Sequence, residues 1–223
     1  YNKIRFITFT MNWLSYIFPL TIAKLSSPYN RYIRINEENG KYKLLSNGAR
    51  ESGVYIEGLW KYAFSSLGFP GNRKIHNILV LGTAGGTVIH LLRELFPQSQ
   101  ITGVDIDEVM ISVGKKYFGL SEVQNLKLIC EDAKVFVKQY TGNRYDLVVT
   151  DIFVGPDVPD FVVSIDFQRG VKKILDKKGV TIINYLRQPG YEKKAPKLFT
   201  VLTSLYAKVS SADRNNNRFF LAQ

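Results

Sequence analysis

The chain has one cysteine and two histidines in 223 residues. A lone thiol cannot close an internal disulfide, and no Cys/His spacing resembles a zinc site, so neither a disulfide framework nor a metal centre is expected to organise the fold. Cys130, in LKLICED, reads as a buried structural thiol on a strand, and the chain as one of a reducing, cytoplasmic compartment. His76 and His90 read as a loop and a helix residue without a ligating role. A net charge of +11 is accompanied by no basic run of five and no nucleic-acid-binding motif. It therefore reads as a solvated basic face rather than a nucleic-acid footprint. Internal repeats and low-complexity tracts are also lacking, which argues against solenoids and flexible arrays.

What is present is an ordinary globular composition, 45% hydrophobic and 22% charged. The length suits one sizeable core with a small appendage. Residues 1–74 carry 11 Lys/Arg against 4 Asp/Glu, so most of the excess charge lies in the first third. The pattern divides into an apolar N-terminal segment (1–25), a β-hairpin subdomain with a linking helix (26–74) and a main domain (75–223). Residue 1 is Tyr, as expected of a processed, trimmed or fragment end. Residues 6–23 are uncharged but carry Asn12, Ser15, three Thr and Pro19, which makes a poor spanning helix and a poor signal peptide. The segment reads first as packed on its own domain or on a partner subunit, and second as a peripheral membrane contact.

Tyr32 to Asn36 and Tyr42 to Ser46 read as strands turned at Asn39-Gly40, with a further turn at Asn47-Gly48. Ile56, Leu59, Trp60, Ala63, Phe64 and Leu67 then recur at a helical period up to Gly68. From Ile78, strands over 78–82, 100–105, 126–130, 145–151 and 179–185 alternate with helices over 86–96, 107–117, 132–140, 162–175 and 192–206. An antiparallel pair closes the chain near 207–212 and 217–222. This predicts an α/β fold: a doubly wound, mostly parallel seven-stranded Rossmann-like sheet beside a small β-hairpin subdomain. Ligands in such sheets bind beyond the carboxyl ends of the strands, where strand order reverses. Asp105, Asp132 and Asp151 fall at or just past such ends, and the Pro/Gly/Asp-rich loop 153–160 reads as a gate.

The turn after the first main-domain strand holds Gly82, Gly85 and Gly86, and Asp105 follows 19 residues after Gly86. Glycines let a ligand approach the backbone, and an acid at that distance can accept from ribose hydroxyls. The dinucleotide pattern G-x-G-x-x-G fails, because Ala84 and Thr87 occupy its second and third glycine positions. A nicotinamide or flavin enzyme is disfavoured.

LVLGTAGG with GVDID, then ICEDA, then LVVTDIF, closely resembles the core of the spermidine synthase-like family, which belongs to the class I S-adenosylmethionine-dependent transferases. Upstream, SSPYNRYIRI and VYIEGLW resemble the N-terminal strands and linking helix of aminopropyltransferases, so the likeness covers about residues 26–222. It implies S-adenosylmethionine or its decarboxylated form as donor substrate, without a metal. Gly82, Thr83, Ala84, Gly85 and Gly86 would pass close to the donor's methionine portion. Asp105 would hold the ribose, Ile106 and Ala133 would flank the adenine, and Asp132 would accept from its amino group. Asp151 would position or deprotonate the acceptor beside the donor, with Tyr55 in support, and Asp107 would cap the following helix. Family members are commonly dimers or tetramers, so a homo-oligomer is expected.

Three departures bear on the reaction. The family's GGGDGG turn has Ala84 in place of its Asp, its D-S-x-D-P becomes Asp151-Ile152-Phe153-Val154-Gly155, and its Tyr-His-Glu becomes Tyr55-Ile56-Glu57. An amine acceptor needs negative charge to bind and a base to free its lone pair, and the remaining candidates are Asp151, Tyr55 and Glu57. The expectation is a spermidine synthase-like transferase moving a methyl or aminopropyl group to a small acceptor such as an amine, rather than a strict spermidine synthase. A non-catalytic nucleoside-binding or assembly module is the alternative, and a nucleic-acid methyltransferase ranks third.

Overall fold

In the computed structural model, which describes residues 13–223, a 3-10 turn (Trp13–Tyr16) leads into an antiparallel sheet. Its strands are β1 (Leu20–Leu25), β2 (Ile33–Glu38), β3 (Lys41–Ser46) and β4 (Ala49–Ser52), in that order. Helix α1 (Val54–Ser66) follows. The main unit then runs β5 (Asn77–Leu81), α2 (Thr87–Leu95), β6 (Gln100–Asp105), α3 (Glu108–Tyr117), β7 (Leu126–Cys130), α4 (Ala133–Gln139) and β8 (Tyr145–Thr150). After a second 3-10 turn (Asp160–Val163) come α5 (Ile165–Ile174), β9 (Leu175–Leu186), α6 (Lys194–Leu205), β10 (Val209–Arg214) and β11 (Asn217–Ala222).

The seven-stranded sheet has the order β10-β11-β9-β8-β5-β6-β7, parallel from β9 to β7 and antiparallel in the last pair. The expected architecture is therefore present. Central β5 shows why helices cover both faces. Ile78 and Val80 enter one core with Trp60 and Ile89, and Leu79 and Leu81 enter the other with Val171 and Leu198. These four side chains are fully buried, as in a strand covered on both sides.

The expected hairpin is the middle of a four-stranded sheet. β1 comes from the stretch read as an apolar segment. It lies at an edge with most of its side chains exposed, so its sequence, LTIAKL, lacks the clean alternation of a half-buried strand. Residues 13–25 are thus a 3-10 turn and a strand rather than part of a spanning helix, and residues 6–12 of that reading lie outside the described residues. No helix among the described residues is long and apolar enough to cross a membrane. The sheet docks on the main unit by packing Ile33, Ile35 and Leu44 against Met110 and Val113 of α3. Each such fully buried aliphatic side chain contributes about 2 kcal/mol.

Cys130 corrects an expectation: the thiol is exposed. It ends β7, an edge strand with no neighbour on its outer side among the described residues, so the apolar run around it does not imply burial. His90 lies on α2, where Nε2 meets the Phe118 carbonyl at 2.6 Å, and His76 lies in a loop.

Candidate active site

From β5 the chain moves outward to β6 and β7, then returns on the other side of β5 as β8, so strand order reverses between β5 and β8. Gly82 and Asp151 stand at those two strand ends. Gly82 has φ 85°, and a Cβ there would lie 2.1 Å from the Asp151 carbonyl oxygen. Only glycine meets both conditions.

A first chamber of about 260 Å³ opens at this point, with Gly82, Ala84, Asp105, Ile106, Asp132, Ala133 and Asp151 in its wall and Tyr29 and Asn30 closing it from the N-terminal part. Thr83, Gly85 and Gly86 stand outside that wall. Thr83 donates from its N–H (2.8 Å) and hydroxyl (3.1 Å) to Asp105 Oδ2, which also receives the Ala84 N–H at 3.1 Å. The Gly85 N–H donates to Ser52 Oγ at 2.9 Å, and a Cβ on Gly86 would lie 2.3 Å from the Leu120 side chain. The later glycines thus admit neighbouring parts of the protein, Ser52 of β4 and the loop after α3.

The three acids divide their work. Asp105 shapes the glycine turn, while its Oδ1 takes only the Asp107 N–H (3.0 Å) and keeps accepting capacity. Asp107 caps α3 by accepting from Val109 N (3.0 Å) and Met110 N, as expected. It also accepts from Ser27 Oγ and from Asn30 Nδ2 (2.8 Å), which pins the β1–β2 connection to the main unit. Asp132 caps α4 through Oδ1 (Lys134 N, 2.7 Å), and Oδ2 has no donor among the described residues. Acceptors at Asp105 and Asp132 with apolar Ile106 and Ala133 between them suit a nucleoside, hydroxyls at one end and an exocyclic amine at the other.

A second chamber of about 470 Å³ carries Arg50, Tyr55, Asn184, Gln188, Asn216 and Asn217 in its wall. Four residues face both chambers: Glu51, Ala84, Asp151 and Phe153. Asp151 receives Trp60 Nε1 at 3.2 Å and Asn184 Nδ2 at 2.8 Å, and Asn217 Nδ2 in turn donates to Asn184 Oδ1 at 2.9 Å. Burial pushes the Asp151 carboxyl up to about 6, and those two donors hold it from rising further. Glu51, on β4, is pushed up to about 8, first by burial and then by the charges of Asp151 and Asp105. Its carboxyl has no hydrogen-bond partner among the described residues.

Sequence reasoning missed Glu51, Trp60 and Asn184. Of its acceptor-side candidates, Tyr55 lies in the second chamber, where its hydroxyl accepts from Asn215 Nδ2 (2.9 Å) and Arg50 sits 5.2 Å above its ring. Glu57 stands outside both chambers and pairs with Lys61 at 2.5 Å on the outer side of α1. The gate loop is braced from behind. Tyr191 donates its hydroxyl proton to Asp157 Oδ1 (2.9 Å) and accepts from the Val158 N–H (3.0 Å), while Asp160 pairs with Lys194 (2.7 Å).

A glycine turn at the switch point, acids after β6 and β7, and an antiparallel final pair define a class I S-adenosylmethionine-dependent methyltransferase fold. Within that class, the profile of the Spermine/spermidine synthase domain matches residues 64–211, and the chain belongs to this family. The polyamine aminopropyltransferase of Vibrio vulnificus is 32% identical over 115 residues, 51% of this chain and 38% of that protein. The chain thus spans well under two-thirds of that relative's length. A probable spermidine synthase from Corynebacterium glutamicum superimposes with a TM-score of 0.78 at 16% identity, covering 90% of this chain and 79% of the other. Human methyltransferase-like protein 13, solved with SAH, superimposes with a TM-score of 0.59 at 24% identity, covering 75% and 79%. At these identities the structures share the fold.

Proposed function

We propose that the protein is a transferase that takes an alkyl group from an S-adenosylmethionine-type sulfonium in the first chamber and delivers it to an amine in the second. The observation that carries this reading is the shared wall, where Asp151 and Glu51 face both chambers. When bound, the donor supplies a carbon activated by a positively charged sulfur. Asp151, ionised at neutral pH, attracts the protonated amine and takes its proton, and Glu51, protonated up to about pH 8 before substrate binds, accepts a hydrogen bond from the same amine. The freed lone pair forms the N–C bond as the C–S bond breaks and its electron pair returns to sulfur. Trp60 and Asn184 fix the carboxylate, and Phe153 of the gate loop screens the junction from water.

The first chamber also bears on the donor. Its wall holds five carboxylic acids, Glu51, Asp105, Asp107, Asp132 and Asp151, and no Lys, Arg or His. A donor bearing its own carboxylate meets an unfavourable field there, whereas the decarboxylated form presents only cations. Aminopropyl transfer is favoured on this ground, with the Glu51 carboxyl standing beside Ala84 in the shared wall. Calorimetry with decarboxylated S-adenosylmethionine, S-adenosylmethionine and methylthioadenosine is the test. The first should bind most tightly; tighter binding of S-adenosylmethionine would point to methyl transfer, and binding of none by the folded protein would sink the proposal.

A further inference from the structure

The second chamber is electrically uneven. Its only acids among the described residues, Glu51 and Asp151, stand at the inner end against the first chamber. The rest of its polar wall is neutral or positive: Tyr55, Asn184, Gln188, Asn216, Asn217 and the exposed Arg50. Asp213, on the β10–β11 hairpin that supplies Asn216 and Asn217, is occupied by Arg218 (2.6 and 2.7 Å) and by Arg187 (3.6 Å). It offers little charge to a guest. Gln188 and Asn216 meet at a long 3.5 Å, through Asn216 Nδ2 and Gln188 Oε1. The Gln188 side-chain N–H groups and Asn216 Oδ1 have no partner among the described residues, so a donor and an acceptor remain for a ligand.

We propose that the acceptor is a primary monoamine whose far end is a neutral hydrogen-bonding or anionic group, an amide or carboxylate, rather than a second ammonium. This rests on the reading of the second chamber as the acceptor site. One ammonium is matched at the junction by the Asp151 carboxylate, with the Glu51 carboxyl beside it as a further acceptor. A second ammonium at the far end would lose water, find no carboxylate and face the Arg50 guanidinium, whereas an amide or carboxylate would meet Arg50, Gln188 and Asn216. Exclusion of the diamine by repulsion is part of the specificity, not only attraction of the monoamine.

Matched probes test the idea: 4-aminobutanamide, 4-aminobutanoate and 1,4-diaminobutane, with their five-carbon homologues, titrated calorimetrically into protein saturated with methylthioadenosine. The amide or carboxylate should bind at least about tenfold more tightly than the diamine of the same length. Arg50→Glu should shrink or reverse that ratio, with Arg50→Gln intermediate. Tighter binding of the diamine to the unmodified protein, or a ratio that Arg50→Glu leaves unchanged, overturns the proposal. Binding of methylthioadenosine but of no amine overturns it while leaving the donor chamber intact. Failure of methylthioadenosine itself to bind removes the underlying reading as well. Arg50 is exposed, and if a variant does not fold, the ranking on the unmodified protein still decides.

Discussion

Glu51→Gln should stabilise the protein, and increasingly so as pH rises. The Glu51 carboxyl is raised from 4.5 to about 8, so across that window the folded chain holds a proton that the unfolded chain has released. Stability then falls with rising pH, because the folded state binds more protons than the unfolded state. The penalty is absent below 4.5 and complete above about 8. A displacement of about 3.5 pH units at about 1.36 kcal/mol per unit sets an upper bound of about 5 kcal/mol. Water in the chamber and relaxation of the side chain bring the expectation nearer about 2 kcal/mol. The isosteric amide never ionises. The two proteins should therefore melt together near about pH 5 and diverge by about 4–8 °C near about pH 9, for a chain of this size. Thermal or urea denaturation of both across that range measures the gap. Parallel profiles, or a gap that narrows with pH, would refute the placement of Glu51 as an unpartnered acid at the junction.

Asp151→Asn should cost turnover at least about 100-fold while leaving methylthioadenosine binding in place, as read by steady-state kinetics beside calorimetry. Trp60→Phe removes one of the two donors that hold the Asp151 carboxyl down, so the acidic limb of the kcat/KM profile should move upward from about 6. Gly82→Ala forces a Cβ onto the Asp151 carbonyl at a positive φ and should destabilise by at least about 1–3 kcal/mol in urea titration. Asp107→Ala strips a helix cap together with the acceptor for Ser27 and Asn30. A loss of about 2–4 kcal/mol is expected, with amide exchange quickening first in β1 and β2.

The main unit was legible because its signals are local. Buried β5, the glycine turn and Asp105 lie between Asn77 and Asp105, and Asp107 announced itself as a cap by standing just before an amphipathic helix. The junction was not legible in the same way. Glu51, Trp60 and Asn184 converge on Asp151 from β4, α1 and β9, and no spacing rule links positions so far apart in the chain. Trp60 looked like one more apolar residue in a helical stripe, and its indole N–H showed its purpose only once Asp151 stood beside it. Asn184 sat in the buried half of its strand, VTIINYL, and that lone amide was the one available hint. Glu51 had a fainter one, an acid in a four-residue strand directly before a helix. Glu57 misled because a familiar triplet drew attention to it, while its helix turns it toward Lys61.

The stretch that matches the family begins at residue 64, whereas Tyr29, Asn30, Glu51 and Trp60 all precede it. The floor of the first chamber and the lid over the junction therefore come from separate lengths of chain, joined through the seam at Asp107 and Ser52. Such a division lets one side of the acceptor end, Arg50 and Tyr55, vary while Asn184, Gln188 and Asn216 stay with the main unit. Exchanging residues 20–60 with those of a relative, while keeping Tyr29, Glu51 and the residues that grip Asp107 and Gly85, should shift acceptor preference through Arg50 and Tyr55 and leave donor binding in place.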